Sequence, residues 1–104
     1  MSNQFDHVSV LKKANVYFDG KCVSHNVIFA DGTKKSVGVI LPSTLTFNTG
    51  APEIMEIVAG KCRVRLKDQA LWRNYEAGQR FEIGANSSFD IEVTETAHYV
   101  CHFG

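Results

Sequence analysis

The sequence predicts a single all-β domain, a β-sandwich or small β-barrel of roughly seven to nine short strands. Apolar and polar residues alternate along several segments, while helical periodicity is nearly absent. Turn-forming pairs that contain glycine separate these segments at regular intervals along the chain. The 104 residues are enough for one compact domain and too few for two.

The N-terminal half begins with a lead-in and continues into a β-hairpin. Residues 1–14 are predicted to be the lead-in, flexible or helical in its first dozen residues, and residues 15–104 to form the domain. The segment KCVSHNVIFA is rich in β-branched and aromatic residues and ends at Asp31-Gly32, a strong hairpin signal. A second strand, KSVGVIL, follows and stops at Pro42.

The remaining strands are shorter and are separated by turns. CRVRL and FDIEV alternate strictly, so Arg63 and Arg65 lie on the solvated face opposite Cys62 and Val64. The other predicted strands are TLTF, EIMEIV, RFEI and HYVCHF. Turns are predicted at Thr49-Gly50, Ala59-Gly60, Ala77-Gly78 and Gly84-Ala85-Asn86.

The charge balance restricts the partners. Eleven basic residues offset eleven acidic ones, which argues against nucleic acid or an anionic membrane surface as the main partner. A small anion such as phosphate is not excluded, because it needs only a few local cations. A net charge near zero also does little to oppose self-association, and we expect a homodimer.

The cysteines and the absence of apolar runs indicate a cytoplasmic protein. Cys22, Cys62 and Cys101 are odd in number and contain no Cys-x-x-Cys pair, so we expect buried free thiols in a reducing compartment. The N-terminus has no apolar run of the signal-peptide type, and no segment approaches the ~20 apolar residues of a membrane helix.

One stretch, FNTGAPEIMEIVAG, has the spacing of a metal-binding barrel segment. Glu53, six intervening residues, Gly60 and an alternating strand resemble the second half of the first cupin motif. In metal cupins a His-x-His pair precedes that glutamate, but here the two places hold Phe47 and Thr49, or Thr46 and Asn48. The second cupin motif keeps its spacing after Gly78, with Phe89 in its histidine place. The resemblance implies a cupin-type, jelly-roll-like small barrel.

The missing histidines predict a barrel without a metal. Of the four ligands of the cupin pattern only Glu53 remains, and one carboxylate holds a transition metal poorly. His98 and His102 share a strand face but stand about 13 Å apart at ~3.3 Å per residue. We therefore expect no metal ligands and no cofactor.

Five ordered strings carry a closer resemblance, which covers nearly the whole chain from Asn15 onward. They are NVYFDGKCVS, SVGVILP, FNTGAPEIMEIVAG, WRNYEAGQRFEI and HYVCHF. Together they resemble the small bacterial pyrimidine/purine nucleoside phosphorylases. The resemblance implies a broad-specificity enzyme, in which phosphate as co-substrate cleaves a nucleoside to a free base and a pentose 1-phosphate.

That activity asks for a hold on the ribose, a surface for the base and an anion site. Glu53 is the leading catalytic residue, as a lumenal carboxylate that binds ribose hydroxyls; its structural alternative is a bond to a neighbouring amide. His102 is a candidate general acid, with an exposed C-terminal histidine as the alternative. Phe47 and Phe89 are candidates to sandwich the base, or pack in the core.

The remaining candidate substrate-binding residues are polar or phenolic. Thr49 either binds phosphate or sugar or satisfies a turn, and Tyr75 either caps the pocket or packs in the core. Candidates for the anion are Lys21, Lys35, Ser36, Arg63, Arg80 and His102. Lys21 and Ser36, together with Ser24, are favoured because they lie within the family-like strings.

Three other functions stay open from the residues alone. The first is a non-catalytic module that binds a sugar or nucleotide in the same lumen. The second is a metal-dependent cupin oxygenase or isomerase, weakened by the lost ligands. The third is a barrel that serves only to dimerise.

Overall fold

Antiparallel β-strands form almost all of the regular structure in the computed structural model, which describes residues 3–103. Residues 1, 2 and 104, at the ends of the predicted lead-in and domain, lie outside the described residues. The strands are β1 (Ser9–Val10), β2 (Asn15–Tyr17), β3 (Cys22–Ile28), β4 (Lys34–Ile40), β5 (Ser43–Asn48), β6 (Glu53–Leu66), β7 (Arg73–Glu76), β8 (Arg80–Ile83) and β9 (Ser88–Phe103). A single 3-10 turn, Phe18–Gly20, joins β2 to β3.

Two long strands, β6 and β9, pair with each other and connect two halves of one sheet. In the first half, β1 and β2 pair with β3, followed in order by β4, β9, β6 and β8. In the second half, β5 pairs with β9 and β7 with β6. Inward side chains of both halves form one hydrophobic cluster, so the sheet closes on itself as a jelly-roll-like barrel. The predicted all-β, cupin-type fold is confirmed.

The strands β6 and β9 are longer than the sequence predicted. β6 joins the predicted strands at 53–58 and 62–66 into 14 residues, and β9 joins those at 89–93 and 98–103 into 16. The turn predicted at Ala59-Gly60 is wrong, because the register shifts there are β-bulges within a continuous strand. Gly60 has a φ of +89°, and a Cβ on it would clash with the carbonyl oxygen of Thr96.

The N-terminal segment also differs from its prediction. Ser9 and Val10 form β1 and pair with Ile28 and Val27, so this part of the lead-in is extended and not flexible or helical. The division into residues 1–14 and 15–104 stays a prediction. Strand β7 lies within WRNYE, which the sequence did not mark as a strand.

The hairpin predicted at Asp31-Gly32 is confirmed. The amide of Phe29 donates to the carbonyl of Thr33 at 2.8 Å, and the Asp31 carboxylate accepts from the Thr33 amide at 2.9 Å. Gly32 takes a φ of +87°, in the left-handed region that favours glycine. This turn fixes the register of β3 and β4 and therefore which of their side chains face inward.

Alternation divides the side chains of the sheet between an inward face, toward the barrel lumen, and an outward face. The predicted solvated face of the second half is confirmed: Arg63 pairs with Glu92 at 2.9 Å and Arg65 with Asp90 at 2.8 Å. Trp72 covers both guanidinium groups at 4.6 and 4.7 Å from its ring. Within residues 3–103, no helix is long and apolar enough to cross a membrane.

Candidate functional site

A row of polar side chains lies on the inward face of the first half of the sheet, beside buried apolar residues such as Met55 and Ile57. We call it the polar row, and its members are Asn15, Ser24, Asn26, Ser36, Glu53, Tyr99 and Cys101. Register and alternation place them on five neighbouring strands, β2, β3, β4, β9 and β6. Burying polar groups costs free energy unless they are hydrogen-bonded, so a polar row inside a barrel is a candidate binding site.

At one side of the row the polar groups satisfy each other. The amide nitrogen of Asn15 donates to Asn26 Oδ1 at 3.1 Å and to Ser24 Oγ at 3.3 Å. Tyr99 OH reaches Cys22 Sγ at 3.4 Å on β3, two strands away. Gly38 on the intervening strand β4 is the register partner of both Tyr99 and Ser24, and a Cβ on it would clash with Ser24 and the carbonyl of Val23.

Glu53 is the acidic member of the polar row and lies at its other side, at the start of β6. Burial raises the pKa of the Glu53 carboxyl above its ordinary value, and a hydrogen bond with Cys101 partly offsets that rise. Burial, followed by the neighbouring Glu53, raises the pKa of the Cys101 thiol to about 12, so it remains a neutral thiol. The structure therefore places Glu53 inside the barrel with a weak donor beside it, and leaves it with hydrogen-bonding capacity.

Five aromatic side chains lie in a connected row in and beside the lumen. In order they are Phe18, Phe47, Phe89, Phe81 and Tyr75, with neighbouring ring centroids 5.2, 5.4, 5.5 and 4.9 Å apart. Phe89 and Phe81 belong to the hydrophobic core, Phe47 and Tyr75 pack against it, and Phe18 is exposed. This aromatic row contains three of the residues that the sequence predicted to bind substrate.

The rings of Phe47 and Phe89 lie too close together in this structure to hold a base between them, and the predicted base sandwich stays a prediction. The two rings stack on each other with 16° between their planes, and Phe89 is only 2% exposed. A base between them needs a separation of roughly 7 Å, two carbon contacts of ~3.5 Å each. Phe89 packs in the core, as the alternative interpretation expected. Phe47 is half-buried, and its contact with a ligand stays a prediction.

Tyr75 packs against Phe81 and is partly buried against the core. It also lines a groove of about 430 Å³ along β6 and β7, together with Lys61 and Arg63. Its predicted contact with substrate stays a prediction.

Thr49 joins two loops of the barrel. Its hydroxyl donates to the carbonyl of Gly84 at 2.7 Å and accepts from the Ser87 amide at 3.0 Å. The hydroxyl proton of Thr49 is used within the protein and its side chain is buried, so this threonine stabilises a turn, as the alternative interpretation expected. The predicted bond from Thr49 to phosphate or sugar is not supported by this geometry.

His102 lies on the outward face, away from Glu53. Its Nε2 is 2.9 Å from Glu56 Oε1, and its Nδ1 is 2.8 Å from Lys35 Nζ. The His102 side chain is only 21% exposed, so it is not the exposed C-terminal histidine considered as the alternative. It does not line the lumen either. The sheet separates its side chain from that of Glu53, so the structure does not bring these two candidate catalytic residues together, and the role of His102 as general acid stays a prediction.

Two of the three residues favoured for the anion, Lys21 and Ser36, are also separated. Ser36 is buried in the polar row and hydrogen-bonds with Cys101 beside Glu53. Lys21 is exposed at the end of the 3-10 turn, just before β3 begins. Ile28, at the opposite end of β3, is seven residues away, which corresponds to ~23 Å at ~3.3 Å per residue. The structure brings Ser36 to Glu53 but leaves Lys21 at the far end.

Two members of the polar row, Asn15 and Asn26, were missed in the sequence. Asn26 shares alternation with Cys22 and Ser24 in KCVSHNVIFA, and that pattern was the available signal. Asn15 becomes visible only through the pairing of β2 with β3. Among residues 3–103, no three His, Cys, Asp or Glu side chains lie close enough together to hold a metal ion.

Comparison with known proteins identifies a family that matches almost the whole chain. Residues 12–103 match the family model described as pyrimidine/purine nucleoside phosphorylase. A protein of that name from Thiobacillus denitrificans is 73% identical over 103 residues, which cover 98% of this chain and 99% of that protein.

Solved structures agree on the fold. A protein of unknown function from Acinetobacter sp. ADP1 is 54% identical and superposes with a TM-score of 0.97 over 99% of this chain and 100% of that one. The Clostridium difficile EutQ protein, at 10% identity, shares the fold alone, with a TM-score of 0.65 over 79% of this chain and 67% of that one.

Proposed function

Because this chain belongs to the pyrimidine/purine nucleoside phosphorylase family, we propose that it is a broad-specificity enzyme that cleaves purine and pyrimidine nucleosides with phosphate. The observation that carries the proposal is the family match over residues 12–103, together with a 73% identical relative that bears this name. The polar row around Glu53 provides a lumenal site of suitable chemistry for the sugar.

The proposed reaction is a pentosyl transfer. An oxygen of hydrogen phosphate forms a bond to C1′ as the bond between C1′ and the base nitrogen breaks. The bonding electron pair goes to the base nitrogen, and the proton that hydrogen phosphate brings ends on the base. The products are the free base and pentose 1-phosphate, and the transition state has oxocarbenium character, as in other glycosidic cleavages.

Such a reaction needs no protein nucleophile, so the site acts by positioning and electrostatics. Glu53 accepts hydrogen bonds from the ribose hydroxyls, and the sugar then replaces the water that burial has removed from the carboxylate. Ser36 and Cys101 support Glu53 from the neighbouring strands. The half-buried Phe47 offers an aromatic contact for the base that does not discriminate among base edges.

The proposal includes no metal and no organic cofactor. Support comes from the sequence, since Phe47, Thr49 and Phe89 occupy places that hold histidine ligands in metal cupins. Phosphate is the co-substrate.

We also place the enzyme in the cytoplasm as a homodimer. Cys22, Cys62 and Cys101 are free and buried, which suits a reducing compartment. For the dimer, Val10 and Val58 on the outward face are 56% and 52% exposed beside an apolar groove of about 620 Å³. Sedimentation of the wild type and of Val58→Glu tests this: a dimer that the substitution dissociates supports the proposal, and a monomeric wild type contradicts it.

The activity is tested with purified protein and a panel of purine and pyrimidine nucleosides. Free base is measured with and without phosphate, and with and without EDTA. Base release from both nucleoside classes that requires phosphate and survives EDTA supports the proposal. Hydrolysis without phosphate, or binding without any turnover, contradicts it, and binding alone points to the non-catalytic module. Loss of activity with EDTA points to a metal-dependent enzyme.

A further inference from the structure

Phosphorolysis needs a cation near the sugar, and most of the cations considered from the sequence do not meet that requirement. Lys35 and Arg63 already have partners, and Lys35 lies on the outward face with His102. Arg80 is the register partner of Glu56, which faces outward. Lys21 lies at the far end of β3. The cation that completes the Glu53 site must therefore be sought in the register of the sheet.

Lys34 is the first residue of β4 and lies on the inward face. Ser36, two residues later, is buried in the polar row, and residues two apart on a strand project to the same side of the sheet. Lys34 itself is exposed at the open end of the strand. Its side chain makes no hydrogen bond or ion pair with any residue between 3 and 103. Its ammonium group is therefore available to a ligand.

The register places Lys34 in the same row of the sheet as Glu53. Lys35 pairs with His102, so continuing the register by one residue sets Lys34 opposite Phe103. Phe103 pairs in turn with Glu53 on β6. Two strand spacings of ~4.8 Å separate the Cα atoms of Lys34 and Glu53 by about 10 Å. Among residues 3–103, no other cation lies in this row of paired residues.

We propose that Lys34 is the phosphate-binding residue of this enzyme, holding the attacking phosphate across the mouth of the barrel from Glu53. This assignment rests on the proposed phosphorolysis. A spacing of about 10 Å accommodates the pentose, bound by its hydroxyls to Glu53, with the phosphate between C1′ and the ammonium group. Lysine binds phosphate as a compact charge with rotatable donors, which suits a site at the edge of solvent.

The test compares Lys34→Met, Lys34→Arg and Lys35→Met with the wild type. Lys35 is the matched control, since it is the next residue on the same strand and faces outward. Initial rates of base release are measured over a series of phosphate concentrations and, separately, of nucleoside concentrations. Thermal unfolding of each variant confirms that it is folded.

Lys34→Met is expected to raise the KM for phosphate by roughly tenfold, which corresponds to about 1.4 kcal/mol. The KM for nucleoside stays within about twofold, because removing an anion contact spares the sugar and base. Lys34→Arg retains most of the phosphate affinity, and Lys35→Met leaves both constants near those of the wild type. Added salt raises the phosphate KM of the wild type more than that of Lys34→Met, since salt screens an exposed charge.

An unchanged phosphate KM in folded Lys34→Met, with a wild type that requires phosphate, overturns the Lys34 assignment and leaves phosphorolysis standing. An equal rise in the KM for nucleoside overturns it as well, since the lysine then acts on the whole site. A wild type that releases no base with phosphate overturns the proposed function, and the assignment falls with it.

Discussion

Glu53 and His102 lie on directly paired strands and yet project from opposite faces of the sheet. Glu53 pairs with Phe103 and faces the lumen, while His102, one residue earlier, faces outward and contacts Glu56 and Lys35. The fold of one chain therefore does not bring Glu53 and His102 together as a catalytic pair. The predictions below follow from this division between lumen and outward face.

His102→Ala tests the outward assignment. We expect kcat/KM to remain within about threefold of the wild type, because the side chain does not reach the lumen. The free energy of unfolding falls by about 1–2 kcal/mol, since partly buried Glu56 and Lys35 each lose a partner. Urea unfolding and steady-state kinetics measure the two effects. A hundredfold loss of activity in a folded variant contradicts the assignment.

The pH dependence of stability tests the burial of Glu53. Because burial raises its pKa, the folded protein binds this proton more tightly than the unfolded chain does. The contribution of Glu53 to stability therefore falls as the pH rises from its unfolded pKa, about 4.3, to the higher folded value. Glu53→Gln does not titrate, so the stability of the variant relative to the wild type should increase across this window and level off above it. Urea unfolding from pH 4 upward gives the difference at each pH, and a difference that is constant or declines contradicts the burial.

Thr49→Val separates a structural role from a binding role. The substitution removes the hydroxyl that joins Gly84 and Ser87 while keeping the shape of the side chain. We expect a loss of about 1–3 kcal/mol in unfolding free energy, because two hydrogen bonds worth about 0.5–1.5 kcal/mol each are removed. KM values for phosphate and nucleoside should stay near those of the wild type. A large rise in either KM without loss of stability supports the binding role instead.

Gly60→Ala tests the bulge that lets β6 run through both halves of the sheet. A Cβ at this position meets the carbonyls of Thr96 and Glu95, and the positive φ adds strain. We expect a loss of about 3 kcal/mol or more, measured by urea unfolding. Gly50→Ala is the control, since its Cβ has open space and its φ lies outside the left-handed region. Similar effects of the two substitutions contradict this role of the bulge.

The fold was predictable because alternation and turn chemistry are local properties of the sequence. The hairpin at Asp31-Gly32 and the solvated face of Arg63 follow directly from them. The turn predicted at Gly60 was wrong because a glycine with positive φ serves a bulge as well as a turn, and only strand pairing distinguishes the two.

The site was predictable only in part. The cupin spacing located Glu53, and Ser36 was a candidate because it lies in a family-like string, but its place beside Glu53 follows only from strand pairing. His102 and Lys34 depend on which strands pair and in what register, and a one-residue shift moves a side chain from one face to the other. That register is set by contacts distant in sequence, which no local pattern reports.

The central claim is that phosphorolysis takes place in the lumen at Glu53. The most direct measurement compares turnover of Glu53→Gln with that of Glu56→Gln, a matched change three residues along β6 on the outward face. With saturating phosphate and nucleoside, we expect kcat of Glu53→Gln to fall by roughly 100-fold, the size typical of removing one group that stabilises the reacting centre. Glu56→Gln should stay within about threefold of the wild type. Unchanged turnover in folded Glu53→Gln contradicts the claim.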